Sequence, residues 1–91
     1  MEKKMFLVKV RINLVTLKAF GQALQANALD RSSIRGETFC LQGDPAVGYS
    51  VWEAESRQEL GLKFAPWNAF YETAEIRELI TPQEAFKKLC R

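Results

Sequence analysis

The amino-acid sequence predicts a single α+β domain built on one antiparallel sheet, and three observations support this fold class. The chain has 91 residues, the length of one domain near the small end of the usual range. Hydrophobic residues make up 47% and charged residues 26%, which is typical of a globular chain and argues against disorder. The hydrophobic pattern also changes period along the chain, in the order β-α-β-β-α-β.

The first β-α unit is predicted from two periodicities. Apolar and charged residues alternate from Met5 to Ile12, which indicates a strand with one face on the core. A helix is predicted from Thr16, as its N-cap, to about Leu29. Its apolar stripe consists of Leu17, Phe20, Leu24 and Ala28. Gly21, in the middle of this helix, predicts close packing on the sheet.

A hairpin and a second helix follow. Two β runs, Ile34 to Gln42 and Tyr49 to Glu55, are joined by a turn-rich connection of about five residues. Ser56-Arg57-Gln58-Glu59 is a capping box that predicts a helix from Arg57. Pro66 is expected to end or kink this helix, because proline has no amide proton to donate.

The last elements complete a recognisable order. A β run extends from Thr73 to Ile80, and the capping box Thr81-Pro82-Gln83-Glu84 opens a short helix through Leu89. The order βαββαβ is the ferredoxin-like arrangement, a four-stranded antiparallel sheet with two helices on one face, here followed by a short C-terminal helix. No repeat or linker interrupts the sequence, so residues 1–91 are predicted to be one domain.

Composition excludes several kinds of chemistry. The chain has no histidine, which removes Ser-His-Asp and Cys-His catalysis and imidazole zinc sites. It has no Walker loop, GxGxxG or CxxC motif, so we predict no cofactor and no metal. Cys40 and Cys90 are interpreted as reduced thiols, with Cys40 as a small hydrophobic residue of its strand. Trp52 and Trp67 are interpreted as core or interface aromatics.

Charge and hydropathy bear on the expected partners. A net charge of +2, from 13 basic and 11 acidic residues without a basic stripe, argues against nucleic acid. No stretch approaches the about 20 apolar residues of a membrane helix, and the start lacks the apolar region of a signal peptide. We therefore expect a cytoplasmic protein without a nucleic-acid or membrane partner.

The face of the sheet opposite the helices is the predicted location of a site. Alternation places charged and tyrosine side chains there on three neighbouring strands: Lys9, Arg11, Tyr49, Glu53, Glu75 and Arg77. One interpretation is cross-strand ion pairing on a solvated surface. The other is that a second subunit covers this face, so that the enclosed charges and tyrosine bind or protonate a small carboxylate or lactone. A one-residue register slip would exchange the faces of Tyr49 and Trp52.

The segment Gly48-Tyr49-Ser50-Val51-Trp52-Glu53-Ala54-Glu55-Ser56, with the helix containing Leu60 and Pro66 and a strand ending in Leu79-Ile80, resembles the dimeric α+β barrel superfamily. It is similar in particular to the second half of muconolactone isomerase-like proteins, over about residues 36–86. The resemblance implies a homodimer whose two sheets enclose a cavity, and activities that include isomerases and small cofactor-free monooxygenases. Those isomerases use histidine on the sheet face, which this chain lacks, so no catalytic residue is carried over.

Taken together, the sequence favours a homodimer through the sheet face that binds a small organic molecule between the sheets, with an isomerase- or monooxygenase-like role. The alternative is a non-enzymatic interaction or assembly module, in which the open face or an edge strand binds a partner protein. The residues leave open whether the protein is an enzyme.

Overall fold

The computed structural model describes residues 3–90, and its element order confirms the ferredoxin-like prediction. The strands are β1 (Lys4–Ile12), β2 (Ile34–Cys40), β3 (Val47–Ala54) and β4 (Tyr71–Leu79). The helices are α1 (Leu17–Gln25), α2 (Arg57–Asn68) and α3 (Pro82–Leu89), and a 3-10 turn (Leu14–Thr16) precedes α1. The strands form one antiparallel sheet in the order β2-β3-β1-β4.

The core lies between one face of the sheet and helices α1 and α2. Phe6 and Val8 of β1, like Trp52 of β3, are only 1% exposed. Helix α2 contributes Leu60, Phe64 and Trp67 to the same cluster, whereas α1 contributes Phe20 as its one buried residue. We call this face the helix side of the sheet, and the opposite face the open face. Burial of Trp52 on the helix side settles the register in favour of the predicted faces.

Helix α1 differs from its prediction at both ends. Thr16 precedes the helix but makes no side-chain cap hydrogen bond; its hydroxyl donates instead to the carbonyl oxygen of Asn13 at 3.1 Å. The helix ends at Gln25 rather than Leu29, since Asn27 adopts a left-handed conformation (φ 55°) that an α-helix cannot continue through. Ala28 therefore lies outside the helix and is exposed.

Expectations at two further residues differ from the structure. Nothing lies within 4 Å of the position that a Cβ would occupy at Gly21, so this glycine does not mark close packing on the sheet. Pro66 does not end α2, because the helix continues to Asn68, and a kink at Pro66 stays a prediction. The capping predictions at the other helices are confirmed: the Ser56 hydroxyl accepts from the Glu59 amide at 3.0 Å, and the Thr81 hydroxyl accepts from the Glu84 amide at 3.1 Å.

Candidate functional site

The strand register brings all six residues of the predicted site to the open face. Lys9 of β1 lies between Tyr49 of β3 and Glu75 of β4 as their direct cross-strand neighbour. Glu53 is paired with Met5, Arg77 with Leu7, and Arg11 with both Val47 and Thr73. Because cross-strand partners share a face, the six side chains form one surface over three neighbouring strands. Their role in binding a ligand stays a prediction.

Ion pairs engage two of these six residues. The Arg11 guanidinium donates to the Asp44 carboxylate at 2.7 Å, which ties the β2–β3 loop to β1 and lowers the pKa of Asp44. Glu53 accepts from Arg35 on β2 at 2.8 Å. Within residues 3–90, Lys9, Glu75 and Arg77 form no ion pair. The solvated ion-pair interpretation therefore fits Glu53 and leaves the central part of the open face available.

A shallow depression of about 130 Å³ lies on the open face beside these unpaired charges. Lys9, Arg11, Glu75 and Thr73 line it together with Val10 and Val47. It is too small to hold an organic ligand in a single subunit, since ligand pockets usually measure about 300–1,000 Å³. A site on this face therefore needs a second surface to enclose it.

A larger cavity of about 340 Å³ lies on the helix side of the sheet, where the sequence predicted only core. Its inner wall consists of aromatic side chains, namely Phe20, Trp52, Phe64, Trp67 and Tyr71. Its mouth is formed by β2 and the preceding loop, where Arg31, Gly36, Thr38, Phe39 and Cys40 are exposed. We call this space the aromatic cavity.

Two features of the chain create the aromatic cavity. On the helix side, β3 presents only Gly48 and Ser50 before Trp52, so small residues form its floor. Opposite them β2 bulges: Arg35 pairs with Val51 and Phe39 pairs with Tyr49, so three β2 residues face one residue of β3. Gly36 lies in this bulge with φ +72°, a conformation that glycine adopts without a steric penalty. The early end of α1 adds to the space left uncovered.

The aromatic wall is rigidly packed. Trp52 lies edge-on to Phe64 and Trp67, with ring centroids 5.5 and 5.7 Å apart, and Phe64 stacks on Tyr71 at 5.7 Å. The indole nitrogens are engaged, because Trp52 donates to the Ser50 hydroxyl at 2.8 Å and Trp67 to the Asp30 carbonyl oxygen at 3.2 Å. The wall is therefore apolar, and these contacts fix the orientation of its rings, of which Trp52, Phe64 and Trp67 are buried.

The polar groups of the aromatic cavity are few. Burial raises the pKa of the Tyr71 phenol to about 12, and the nearby Cys40 adds to the rise. The phenol is therefore neutral at physiological pH and can donate a hydrogen bond. Cys40, interpreted from the sequence as a small hydrophobic residue of its strand, is exposed at the mouth. Arg31 is the one charged residue that lines the cavity.

Sequence reasoning missed this cavity although one signal for it was present. The alternation Gly48, Ser50, Trp52 on a strand predicted to face the helices places the two smallest side chains where a core strand usually carries branched residues. The bulge and the early end of α1 depend on local backbone conformations at Gly36 and Asn27, which hydrophobic periodicity does not report. Within residues 3–90, no group of three or more metal-ligating side chains occurs.

The fold is shared with several solved structures of low sequence identity. A NIPSNAP family protein from Agrobacterium tumefaciens is 15% identical with a TM-score of 0.55, the match covering 88% of this chain and 86% of that one. An antibiotic biosynthesis monooxygenase is 13% identical with a TM-score of 0.52, over 86% of this chain and 97% of that one. A Pseudomonas aeruginosa protein is 16% identical with a TM-score of 0.51, over 89% and 96%. No protein-family model and no curated protein matches the sequence.

These likenesses confirm the predicted ferredoxin-like α+β fold. At identities below one fifth they establish the fold and not the activity. None of the helices within residues 3–90 is long and apolar enough to cross a membrane.

Proposed function

We propose that this protein binds a small, flat, largely apolar organic molecule in the aromatic cavity. One observation carries the proposal: a space of about 340 Å³, walled by five aromatic side chains, opens to solvent beside β2. This volume is at the lower end of the range of small-molecule sites, which are typically apolar with a few oriented polar groups. An ordinary core would be filled to close packing at this position.

The shape of the wall supports a planar ligand. Among the aromatic residues that line the cavity, the exposed Phe39 and the half-buried Tyr71 have ring surface against which another aromatic ring can stack or pack edge-on. A floor made of Gly48 and Ser50 gives such a ring a close approach to the β3 backbone. The neutral Tyr71 phenol and the Cys40 thiol supply donors for an oxygen atom of the ligand.

An oxygenation of the bound molecule is the reaction that we propose, by analogy with the monooxygenase that shares this fold. In a cofactor-free form of the reaction, an electron-rich phenol reacts with O2 to give a quinone and water. One oxygen atom forms a new C=O bond at a ring carbon, the O–O bond breaks, and the other atom leaves as water with two hydrogens of the substrate. Tyr71 would donate a hydrogen bond to the oxygen that gains charge during this step.

Tryptophan fluorescence tests binding directly, because both tryptophans of the chain line the aromatic cavity. Titration with hydroxynaphthalenes is expected to quench the emission to saturation. The variant Gly48→Leu should lose this response, since its side chain extends from a position where a Cβ already touches Val10 and Cys40. Gly21→Leu is the matched control, because nothing lies within 4 Å of its Cβ position. Should Gly48→Leu fail to fold, Thr38→Tyr at the exposed mouth serves the same purpose.

Oxygen consumption with the bound hydroxynaphthalenes tests the reaction separately. Saturable uptake of O2 that disappears in the cavity-blocking variant supports the oxygenase role. Saturable binding without any oxygen uptake would restrict the protein to ligand binding. Absence of saturable quenching by any flat aromatic compound would refute the binding proposal itself.

We also propose that the subunit forms a homodimer through its open face. Supporting this are the half-buried apolar side chains Met5, Leu7, Val51 and Leu79, which lie among the six predicted site residues on the face opposite α1 and α2. A second sheet placed there would enclose Lys9, Tyr49 and Glu75 around the small depression. The rival role, an assembly module for another protein, predicts a different occupant for the same face.

Free thiols at Cys40 and Cys90 support the cytoplasm as the compartment.

A further inference from the structure

We infer that the ligand of the aromatic cavity is an aromatic acid, whose carboxylate pairs with Arg31 at the mouth while its ring lies against the aromatic wall. The inference rests on the proposed binding function and names the chemical class of its ligand. It is carried by the distribution of charge around the cavity and by the unpaired state of one arginine.

Charge at the aromatic cavity has a single sign. Of the residues that line it, Arg31 alone is ionised at neutral pH, and no aspartate or glutamate lines it. A neutral ligand forms no ion pair with Arg31, and a cationic ligand is repelled by its positive charge. An anionic group at the mouth is therefore the complement that the lining offers.

Arg31 is available for such a group. Arg11 and Arg35 are held by Asp44 and Glu53 at 2.7 and 2.8 Å, whereas Arg31 forms no ion pair with any residue of the described range 3–90. Its chain neighbour Asp30 is turned to other partners: one carboxylate oxygen accepts from the Ser32 amide at 2.9 Å, and the other lies 4.0 Å from the Lys63 ammonium.

Arg31 lies at the mouth of the aromatic cavity, where a carboxylate is bound more favourably than it would be deeper inside. An ionised group in an apolar cavity is costly unless it is paired, so it is expected at the solvent-exposed end. A guanidinium at that end can hold both carboxylate oxygens through parallel N–H bonds. The backbone next to Arg31 is fixed, because the Asp30 carbonyl oxygen accepts from the Trp67 indole at 3.2 Å. Arg31 belongs to the loop after α1, and the Trp67 ring is hydrogen-bonded to that same loop.

The aromatic wall and Arg31 therefore each favour a different property of the same ligand. The aromatic wall selects a flat ring, and Arg31 selects an acidic group at the mouth. Neutral flat molecules of the same shape should enter the cavity but bind more weakly. This difference is what the experiment measures.

Calorimetric titration with naphthoate and naphthamide, which differ in charge but scarcely in shape, tests the inference. The wild-type protein is expected to bind naphthoate at least about tenfold more tightly than naphthamide. Arg31→Gln should remove this preference by weakening naphthoate binding about tenfold, which is about 1.4 kcal/mol, while naphthamide binding changes less than about twofold. Arg57→Gln is the matched control, since this arginine is exposed at the start of α2 and does not line the cavity.

The outcomes separate the inference from the function on which it rests. Equal or tighter binding of naphthamide, abolished by Gly48→Leu, would overturn the aromatic acid and leave the binding function standing. A naphthoate preference that persists in Arg31→Gln would also overturn it, because the charge would then be recognised elsewhere. If neither compound binds wild-type protein, the proposed binding function and this inference fail together.

Discussion

At the scale of single residues, the environment of Tyr71 shows how burial sets chemistry. The phenol belongs to the aromatic wall, stacked on Phe64 and edge-on to Phe20, with ring centroids 5.7 and 5.6 Å apart. Withdrawal from water disfavours the phenolate and therefore raises the pKa, here from 10.0 to about 12. The phenol therefore keeps its proton at neutral pH and is available as a hydrogen-bond donor.

The shifted pKa of Tyr71 predicts how stability depends on pH. Since the unfolded chain loses this proton near pH 10 and the folded chain near 12, the folded state binds more protons between these values. The contribution of Tyr71 to the free energy of unfolding is therefore complete below pH 10 and is lost as the pH rises toward 12. Urea unfolding across this range should show the loss in wild-type protein and not in Tyr71→Phe.

A spectroscopic control accompanies this measurement. The near-ultraviolet phenolate absorbance of the wild-type protein should include a component that appears only near pH 12 and is absent from Tyr71→Phe. Identical absorbance curves near pH 12 for the two proteins would contradict the buried phenol.

Individual residues also mark the limit of sequence reasoning. Alternation along β1, β3 and β4 placed Lys9, Tyr49 and Glu75 on one face correctly, because strand period leaves only two faces to choose from. Arg31, which no periodic element contains, could not be placed beside the aromatic cavity in this way. Its position follows from the loop after α1, whose course depends on where α1 ends. Core positions follow from the hydrophobic periodicity of strands and helices, whereas the mouth of the cavity depends on irregular backbone that has no such periodicity.

At the scale of elements, the helices were predicted well where caps defined them. At both capping boxes the N-cap hydroxyl accepts from the amide three residues later as expected, which satisfies an orphan amide locally. Pro66 was misjudged because tertiary packing overrides its local preference. Leu60, Phe64 and Trp67 are buried on both sides of it, and their burial holds the helix together.

Pro66 is expected to reduce the stability that α2 gains from packing. Pro66→Ala restores an amide donor to the helix interior and removes the clash with the preceding turn, so the free energy of unfolding should rise by about 1 to 3 kcal/mol. Urea denaturation measures the change, with Ala65→Gly as a control that should lower stability by about 1 kcal/mol. A less stable Pro66→Ala protein would mean that the proline fixes a bend required by Trp67.

Helix α3 leaves its large apolar side chains exposed within the described residues 3–90. None of its residues is buried, and Phe86 and Leu89 are 61% and 83% exposed. A helix of eight residues is too short to be stable alone in water. In the proposed dimer, a four-stranded face about eight residues long offers only about 500 Å² per subunit, near the lower limit of a stable interface. We expect α3 to pack on the second copy and enlarge that interface.

The double variant Phe86→Ser, Leu89→Ser tests this role of α3. Removal of both apolar side chains should weaken dimerisation at least about tenfold, measured by sedimentation velocity at a series of concentrations. Leu62→Ser is the control, because this α2 leucine is 74% exposed and belongs to neither surface. An unchanged dimer in the double variant would leave the sheet face as the sole interface.

At the scale of the whole molecule, the dimensions are more extended than those of a compact domain of the same length. The radius of gyration is 14.7 Å, whereas a compact domain of this length has about 12 Å. The smallest extent is 19 Å, which is one sheet and one layer of helices. A two-layer domain keeps its second sheet face in water unless something covers it, and here that face carries half-buried apolar residues beside unpaired charges.

The centre of the open face is the most direct point at which to test the homodimer. Leu7 lies on the central strand β1, between Val51 and Arg77 in the register. In a sheet-to-sheet dimer, Leu7→Arg would bury a charge without a partner, and only a monomer is expected at micromolar concentration by sedimentation velocity. In an isolated subunit the same change lies at the surface, and the free energy of unfolding should shift by no more than about 0.5 kcal/mol.

Lys18→Ala on the exposed side of α1 is the control for a surface change remote from the sheet. A wild-type protein that is already monomeric would refute the dimer, and with it the enclosure of Lys9, Tyr49 and Glu75, while the aromatic cavity, which lies within one subunit, would keep its proposed ligand.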